Sequence, residues 1–344
     1  MYIRTICTDG AESRIAIGES YRNLSRYLPV GSRVIIVTDA NVLKHYGEFM
    51  RSYPVIETGL GEKHKTMKTL EHIYARLLEF DADRSCFIVA VGGGIVCDVA
   101  GFAASTYMRG VPFGFVSTTL LSQVDASVGG KNGVNFEGYK NMIGTFNQPR
   151  FVICDPAMIQ TLPEREFVSG FAEIVKAAVI RDPELFDYLE RNADRAMARD
   201  SATIEHLVTE SVKIKADVVE HDERERGERR ILNFGHTFGH AVELQTGISH
   251  GEAVSIGMMA AARWSVRACG LAQQQVERIG NLLTKLGLPT ETNVGTNDIS
   301  AVLAKDKKRE NDDINFVLLR DIGKTEIRKT PIAEISEILS YCLR

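Results

Sequence analysis

Residues 86–94 read CFIVAVGGG. Six apolar positions run without a polar interruption straight into three glycines. A strand covered on both faces of a parallel sheet shows this pattern, because neither face needs polar side chains. Gly92, Gly93 and Gly94 end the run, and the residues after them fit a helix. Glycine lets backbone come close to a ligand, and a helix start offers free N–H groups and a positive dipole end. A phosphate suits such a place. The spacing is not G-x-G-x-x-G, however, so a tight strand-to-helix turn explains the glycines equally well.

The same grammar extends on both sides. Arg33–Thr38 (RVIIVT) is a β-branched run followed by Asp39-Ala40-Asn41. Met67–Phe80 carries apolar residues at helical spacing, and Val111–Ser117 and Phe151–Cys154 read as further strands. Alternating strands and helices predict a parallel sheet covered on both faces. Beyond Pro156 the pattern changes. Phe167–Ile180, Ile204–Val219, Phe234–Thr246 and Glu252–Cys269 fit helices, with a later strand at Ile314–Leu319. The 344 residues suit two domains. The expectation is an α/β N-terminal domain with a parallel Rossmann-like sheet over residues 1–155, and a mainly α-helical domain over 156–344.

Composition excludes several classes. Hydrophobic residues make up 44% and charged residues 25%, as in an ordinary soluble enzyme. A net charge of −4 argues against bulk nucleic-acid binding, which wants a basic excess. Arg4, Asp9, Glu12, Arg14 and Glu19 appear before any apolar stretch, so no export signal is expected. The longest uncharged stretch, Gly110–Val124, is shorter than the ~20 residues a bilayer needs and contains Pro112. Six scattered cysteines form no C-x-x-C pair, which predicts reduced thiols and a cytoplasmic protein with no membrane partner.

Candidate chemistry gathers in three places. Asp39 and Asn41 follow a strand end, where a carboxylate suits a ribose hydroxyl; Thr118 and Thr119 follow another, on the same carboxyl edge. Asp98 lies four residues into the helix after the glycines, placed to hold an adjacent loop. Residues 233–240 read NFGHTFGH. His236 and His240 share one helix face, Asn233 and Glu243 extend it, and His250 follows. Two of these three histidines plus one carboxylate would make an open, catalytic-type metal site. Glu173, in 169–180 (SGFAEIVKAAVI), is the candidate carboxylate, with Lys176 one turn on. An internal Glu–Lys pair, and histidines serving as caps or core residues, explain the same features. Three of eight histidines within one short segment favour metal. Finally, Asp125, Lys131, Asn132, Asn135, Lys140 and Asn141 stand among glycines in 121–147, with Arg109 upstream and Lys215, Arg229 and Asp306-Lys307-Lys308 downstream. Cations beside glycine suit a substrate with two negative groups, such as a phosphate and a carboxylate. Lys213, Arg230 and Lys308, and the charge run 222–230 (DERERGERR) as a whole, read as solvated surface.

These blocks together resemble the 3-dehydroquinate synthase family, within the sugar-phosphate cyclases, from Asp39-Ala40-Asn41 to Asp306-Lys307-Lys308. The specific blocks are Gly61-Glu62 with Lys65, Gly92–Asp98, Tyr107–Gly110, Ser117–Asn135, Gly170–Lys176, Leu232–Glu243 and His250–Val254, and the specificity lies in their combination. The resemblance implies bound NAD and one divalent metal, zinc or sometimes cobalt, on Glu173, His236 and His250, leaving His240 in the pocket. It implies that Asp39, Asn41, Glu62, Lys65, Gly92, Gly93, Gly94, Asp98, Thr118, Thr119 and Thr161 surround NAD, with Lys131 and Lys140 between cofactor and substrate. It implies that Asp125, Lys176, Lys215, Arg229, Asn233 and His240 meet the substrate's ring and carboxylate, and that Asn141 and Lys307 hold its phosphate. Arg109 would reach the site of a second subunit, making a homodimer. The implied reaction is that of a carbon–oxygen lyase of the shikimate pathway, in aromatic amino acid biosynthesis. It turns 3-deoxy-arabino-heptulosonate 7-phosphate into 3-dehydroquinate and phosphate. A sibling cyclase, or a metal-dependent polyol dehydrogenase, is the alternative. Cys97 and Asn132 depart from the residues common in the family, and the loop from His240 to His250 is short.

Overall fold

The structure, a computed structural model, describes residues 1–8, 11–303, 309–310 and 313–343. It divides into two units: Met1–Pro163 with Lys215–Arg224, and Glu164–Ile214 with Glu225–Arg344.

In the first unit β1 (Tyr2–Thr8) and β2 (Ala11–Ile17) form an antiparallel hairpin. Then come β3 (Val34–Asp39), α1 (Ala40–Met50), β4 (Val55–Thr58), α2 (Met67–Glu79), β5 (Phe87–Gly92), α3 (Gly94–Thr106) and β6 (Phe113–Ser117). A second hairpin, β7 (Lys131–Phe136) and β8 (Tyr139–Phe146), precedes β9 (Phe151–Cys154). The main sheet runs β1-β2-β9-β6-β5-β3-β4, and every neighbouring pair except β1–β2 is parallel. All six residues of β5 are buried, as an apolar run predicts. Val34, Ile36, Phe87, Val89, Val91, Val116, Phe151 and Ile153 form the core of one face, with Phe87 stacked on Phe151 at 5.7 Å between ring centres.

The strand order locates the ligand edge. From β3 the chain crosses outward to β4; from β5 it crosses the opposite way to β6. The two crossovers part between β3 and β5, and open α/β sheets bind ligands at such a switch point, outside the carboxyl ends of the strands. Asp39 and Gly92 end those two strands.

The second unit is mostly helical. It holds α4 (Glu164–Arg181), α5 (Pro183–Met197), the first part of α6 (Ser201–His221), α7 (His236–Thr246), α8 (His250–Cys269) and α9 (Gln273–Lys285). A small antiparallel sheet of β10 (Arg309–Glu310), β11 (Asp313–Asp321) and β12 (Lys324–Pro331) packs against α8 through β11. Phe316 on β11 lies 4.9 Å from Trp264 and 5.0 Å from Phe238, ring centre to ring centre. Lys307, expected to hold phosphate, and its neighbours Asp306 and Lys308 lie outside the described residues.

Candidate active site

α4 is buried from Ser169 to Ile180, so Glu173 and Lys176 are polar groups inside an apolar helix, each 2% exposed. They form an ion pair one helical turn apart. Such a pair must be satisfied, because an isolated buried charge is costly. Glu173 has further company. His236 begins α7 after Gly235, whose left-handed backbone (φ 77°) suits glycine. A Cβ on Gly235 would come within 2.9 Å of the Val254 carbonyl, and one on Gly239 within 2.7 Å of the Ala253 carbonyl. Glycine at both places lets α7 and α8 approach backbone to backbone. His250 opens α8, whose start is fixed by a reciprocal cap between Ser249 and Glu252. The next residue, Gly251, donates its N–H to Ser169 Oγ at 3.0 Å, which ties the start of α8 to α4.

The result is a convergence. Nε2 of His236 is 3.6 Å and Nε2 of His250 3.4 Å from the same oxygen, Glu173 Oε1. All three donor atoms lie within 4.8 Å of one another, the donor set and spacing of a cation site with open positions. The opposite nitrogen of each ring is occupied: Nδ1 of His236 sits 3.2 Å from the Phe234 carbonyl, and Nδ1 of His250 is 3.5 Å from Glu243 Oε2. His240 stands beside both rings, 5.3 Å from His236 and 5.9 Å from His250 between ring centres. Burial disfavours a proton on His250, but the carboxylates of Glu173 and Glu243 outweigh it and push its pKa up to about 9. A field that holds a proton this firmly also suits a divalent cation.

Two expectations for this unit change. Asn233 does not extend the histidine face, because α7 starts only at His236 and Asn233 closes a preceding 3-10 turn, Glu228–Asn233. Its amide donates to Glu225, a residue with left-handed backbone (φ 57°). Nor is the charge run uniformly solvated: the same turn directs Arg229 inward, and it is 2% exposed. Glu225 was hidden in that run, where neighbouring charges give no sign of which one meets Asn233.

The first unit gathers a second group. Lys65, 5% exposed, donates to Asp98 Oδ2 and Asn141 Oδ1, each at 2.5 Å. Asn135 donates to Glu62 at 2.8 Å and accepts from the Asn141 N–H at 2.9 Å; Lys140 lies 3.9 Å from Glu62. Burial raises the Asp98 pKa, and Lys65 works against that rise. Lys215 donates to the carbonyl and carboxylate of Asp125 at 2.6 and 2.8 Å. Asp39 caps α1, accepting from the N–H groups of Asn41 and Val42. Thr161 shares a 2.7 Å hydrogen bond with Tyr46, on α1. Lys131 opens β7 and is exposed. Arg109 is exposed after α3. The departures are accommodated by packing: Cys97 is fully buried, and Asn132 donates to the carbonyls of Gly130 and Asn147.

The glycine turn has a packing reason of its own. A Cβ on Gly93 would come within 2.8 Å of Thr119, so the turn is a packing requirement. α3 nevertheless starts with no side-chain cap, unlike α1. Its first N–H groups face the switch-point edge, near Thr118, whose N–H donates to the Gly92 carbonyl at 3.0 Å.

Comparison with known proteins bears on the fold and the family. Solved structures resemble the chain over nearly its whole length. A 2-deoxy-scyllo-inosose synthase complexed with carbaglucose-6-phosphate, NAD+ and Co2+ superposes with a TM-score of 0.88 at 29% identity, covering 98% of this chain and 99% of that one. A 2-epi-5-epi-valiolone synthase from Streptomyces hygroscopicus subsp. jinggangensis 5008, with NAD+ and Zn2+ bound, gives 0.87 at 27%, covering 99% and 98%. The class is therefore a lyase on a Rossmann-like sheet joined to a helical unit with a metal-ready centre. The family models for the 3-dehydroquinate synthase N-terminal and C-terminal regions match residues 55–169 and 170–309. A 3-dehydroquinate synthase from Halorhodospira halophila is 46% identical over 86% of this chain and 85% of its own length. One from Geotalea uraniireducens is 43% identical over 91% and 90%. The chain belongs to the 3-dehydroquinate synthase family. Among the described residues, no helix is long and apolar enough to cross a membrane.

Proposed function

We propose that the chain binds NAD at the β3–β5 switch point and one divalent cation, zinc or cobalt, on Glu173, His236 and His250. With these it converts 3-deoxy-arabino-heptulosonate 7-phosphate to 3-dehydroquinate and phosphate. The observation that carries the reading is the meeting of two imidazole Nε2 atoms on one buried carboxylate oxygen. That donor set fits a divalent cation with positions left for substrate oxygens. The bare start of α3 fits a pyrophosphate, and the cap on α1 leaves Asp39 beside it for a ribose.

NAD supplies a transient oxidation at substrate carbon 5 and its reversal, and the cation supplies Lewis-acid polarisation of that carbon's oxygen. The protein's own groups do the rest. Lys176, held by Glu173, and Lys215, held by Asp125, are oriented cations. With Arg229, Asn233 and His240 they position the sugar acid's ring and carboxylate. Lys131 and Lys140 serve between cofactor and substrate, and Asn141 and Lys307 help hold the phosphate. Lys65 locks Asn141 in a left-handed backbone conformation (φ 49°) that asparagine tolerates. The carbon-6 proton passes to the departing phosphate itself, so no separate protein base is required. Ring opening and aldol closure follow within the held chain, where proximity lowers the barrier. Arg109 contributes from a second copy in a homodimer. The protein works in the cytoplasm, in the shikimate pathway.

Incubation with the heptulosonate phosphate, substoichiometric NAD and zinc should release phosphate and 3-dehydroquinate in equal amounts. No lasting reduced-nicotinamide absorbance should accumulate. Phosphate release from sedoheptulose 7-phosphate or glucose 6-phosphate instead would move the protein to a sibling cyclase. Net reduction of NAD would make it a dehydrogenase.

A further inference from the structure

Glu243 is a carboxylate turned away from solvent: its side chain is 9% exposed. It lies on α7, whose Phe238, Ala241 and Val242 are buried. Its Oε2 faces Nδ1 of His250 at 3.5 Å, a long hydrogen bond, while Nε2 of the same ring faces Glu173. The neighbouring histidine is built alike. Nδ1 of His236 faces the Phe234 carbonyl, and its Nε2 faces Glu173. Both rings are therefore offered an acceptor behind and a carboxylate in front. In the neutral ring that binds a cation, an acceptor at Nδ1 selects the tautomer that carries its proton there, which leaves the Nε2 lone pair directed forward.

We infer that Glu243 is a positioning residue for the metal centre. It fixes the ring and tautomer of His250 and raises the donor strength of Nε2 through its negative charge. This rests on the proposed cation site at Glu173, His236 and His250. Glu243 is not itself a ligand of that site, because the two nitrogens of one imidazole point apart and Glu243 lies behind the ring. His240, Glu243 and His250 also approach one another within 4.8 Å, as a cation cluster would. The His250 nitrogen that faces Glu243 is Nδ1; an ion held there alongside the first would leave both nitrogens of one ring metal-bound and its N–H proton lost. The positioning role needs no such step. Carboxylates behind metal-bound histidines tune affinity by roughly 10–100-fold.

Glu243→Gln keeps an acceptor behind His250 and removes the charge; Glu243→Ala removes both. Zinc affinity of the metal-free proteins, measured by competition with a chromophoric chelator, should fall about tenfold in E243Q and further, toward ~100-fold, in E243A. The visible spectrum of cobalt-loaded E243Q should keep the native band pattern, because its ligands are unchanged. Native-like affinity in E243Q, within twofold, overturns the inference. So does an altered cobalt spectrum, which would make Glu243 a ligand, or a second ion per native chain that is lost in E243Q. E243Q decides alone if E243A fails to fold. Glu173→Gln is the control for the underlying site. If E173Q binds zinc as the native chain does, the centre itself is misplaced. If E173Q loses zinc while E243Q does not, the positioning role alone fails.

Discussion

His250 shows how much one residue draws on its surroundings. Burial works against its charge, yet Glu173 and Glu243 together push its pKa up to about 9. In the metal-free chain the ring is then protonated at neutral pH, and an ion must displace that proton. Zinc affinity should rise by about tenfold per pH unit toward pH 9 for a single displaced proton. Calorimetry at neutral pH in two buffers of different ionisation heat should register about one proton released per ion; zero would remove His250 from the centre. The sign for stability runs the opposite way. The folded pKa lies above the ordinary value of 6.5, so the stabilisation is complete below that pH and is lost as pH rises through about 9. The unfolding midpoint of the metal-free chain should fall across that window, and zinc should abolish the fall. Sequence spacing put His236 and His240 on one helix face and left three histidines open. What separates them is distance to Glu173, a residue 63 or more positions earlier in the chain. Spacing within α7 carries no record of where α4 packs. Lys65 was similarly mute: its partners Asp98 and Asn141 come from two distant segments.

At the level of elements, legibility followed hydrophobic contrast. β5 and β9 carry no polar side chain and β3 none before Thr38-Asp39, and the sequence marks all three to within a residue or so. β1 was not legible, because only Ile6 is fully buried, the other positions are partly buried or exposed, and Arg4 brings a charge into the strand. The β7–β8 hairpin was hidden for another reason. Its glycines, lysines and asparagines read as loop, although Glu137-Gly138, both with positive φ (48° and 80°), is the two-residue turn that joins them. α3 makes the functional point about elements. Its start lacks a cap, and Gly93 leaves room for Thr119 at only 2.8 Å from a would-be Cβ. Gly93→Ala has no backbone conflict at φ −76°, so its cost falls on Thr119 and the turn. NAD affinity should weaken about tenfold, or ~1.4 kcal/mol, in a direct binding titration. Zinc affinity should stay native, since the proposed metal residues Glu173, His236 and His250 belong to the other unit. Unchanged NAD binding would mean that the dinucleotide does not use this helix start.

For the whole molecule, the parallel sheet and the helical second half were both readable from periodicity. The assignment of Lys215–Arg224 to the first unit was not, since α6 is one continuous helix in sequence. Assembly is the property that composition leaves most open, and Arg109 offers the way in. Met108 and Arg109 are consecutive non-glycine residues in left-handed conformation, φ 48° and 70°. Each such residue costs roughly 1–2 kcal/mol. The strain is held by its surroundings: Tyr107 is buried, and its hydroxyl donates to the Ala82 carbonyl at 2.8 Å. Strain kept in a turn that presents an exposed arginine is best explained by a use for that arginine. If the use is the phosphate site of a second copy, Arg109→Ala and His250→Ala should each be inactive alone. Mixed and allowed to exchange subunits, they should recover activity. The site on the R109A chain keeps its metal and receives Arg109 from the H250A chain. Random exchange puts half of the chains' pairs in hybrid form with one working site of two, so activity should approach about a quarter of native. Recovery should also depend on total protein concentration, falling as dimers dissociate on dilution. No recovery, with hybrid dimers demonstrated by differential tagging, would confine Arg109 to its own chain.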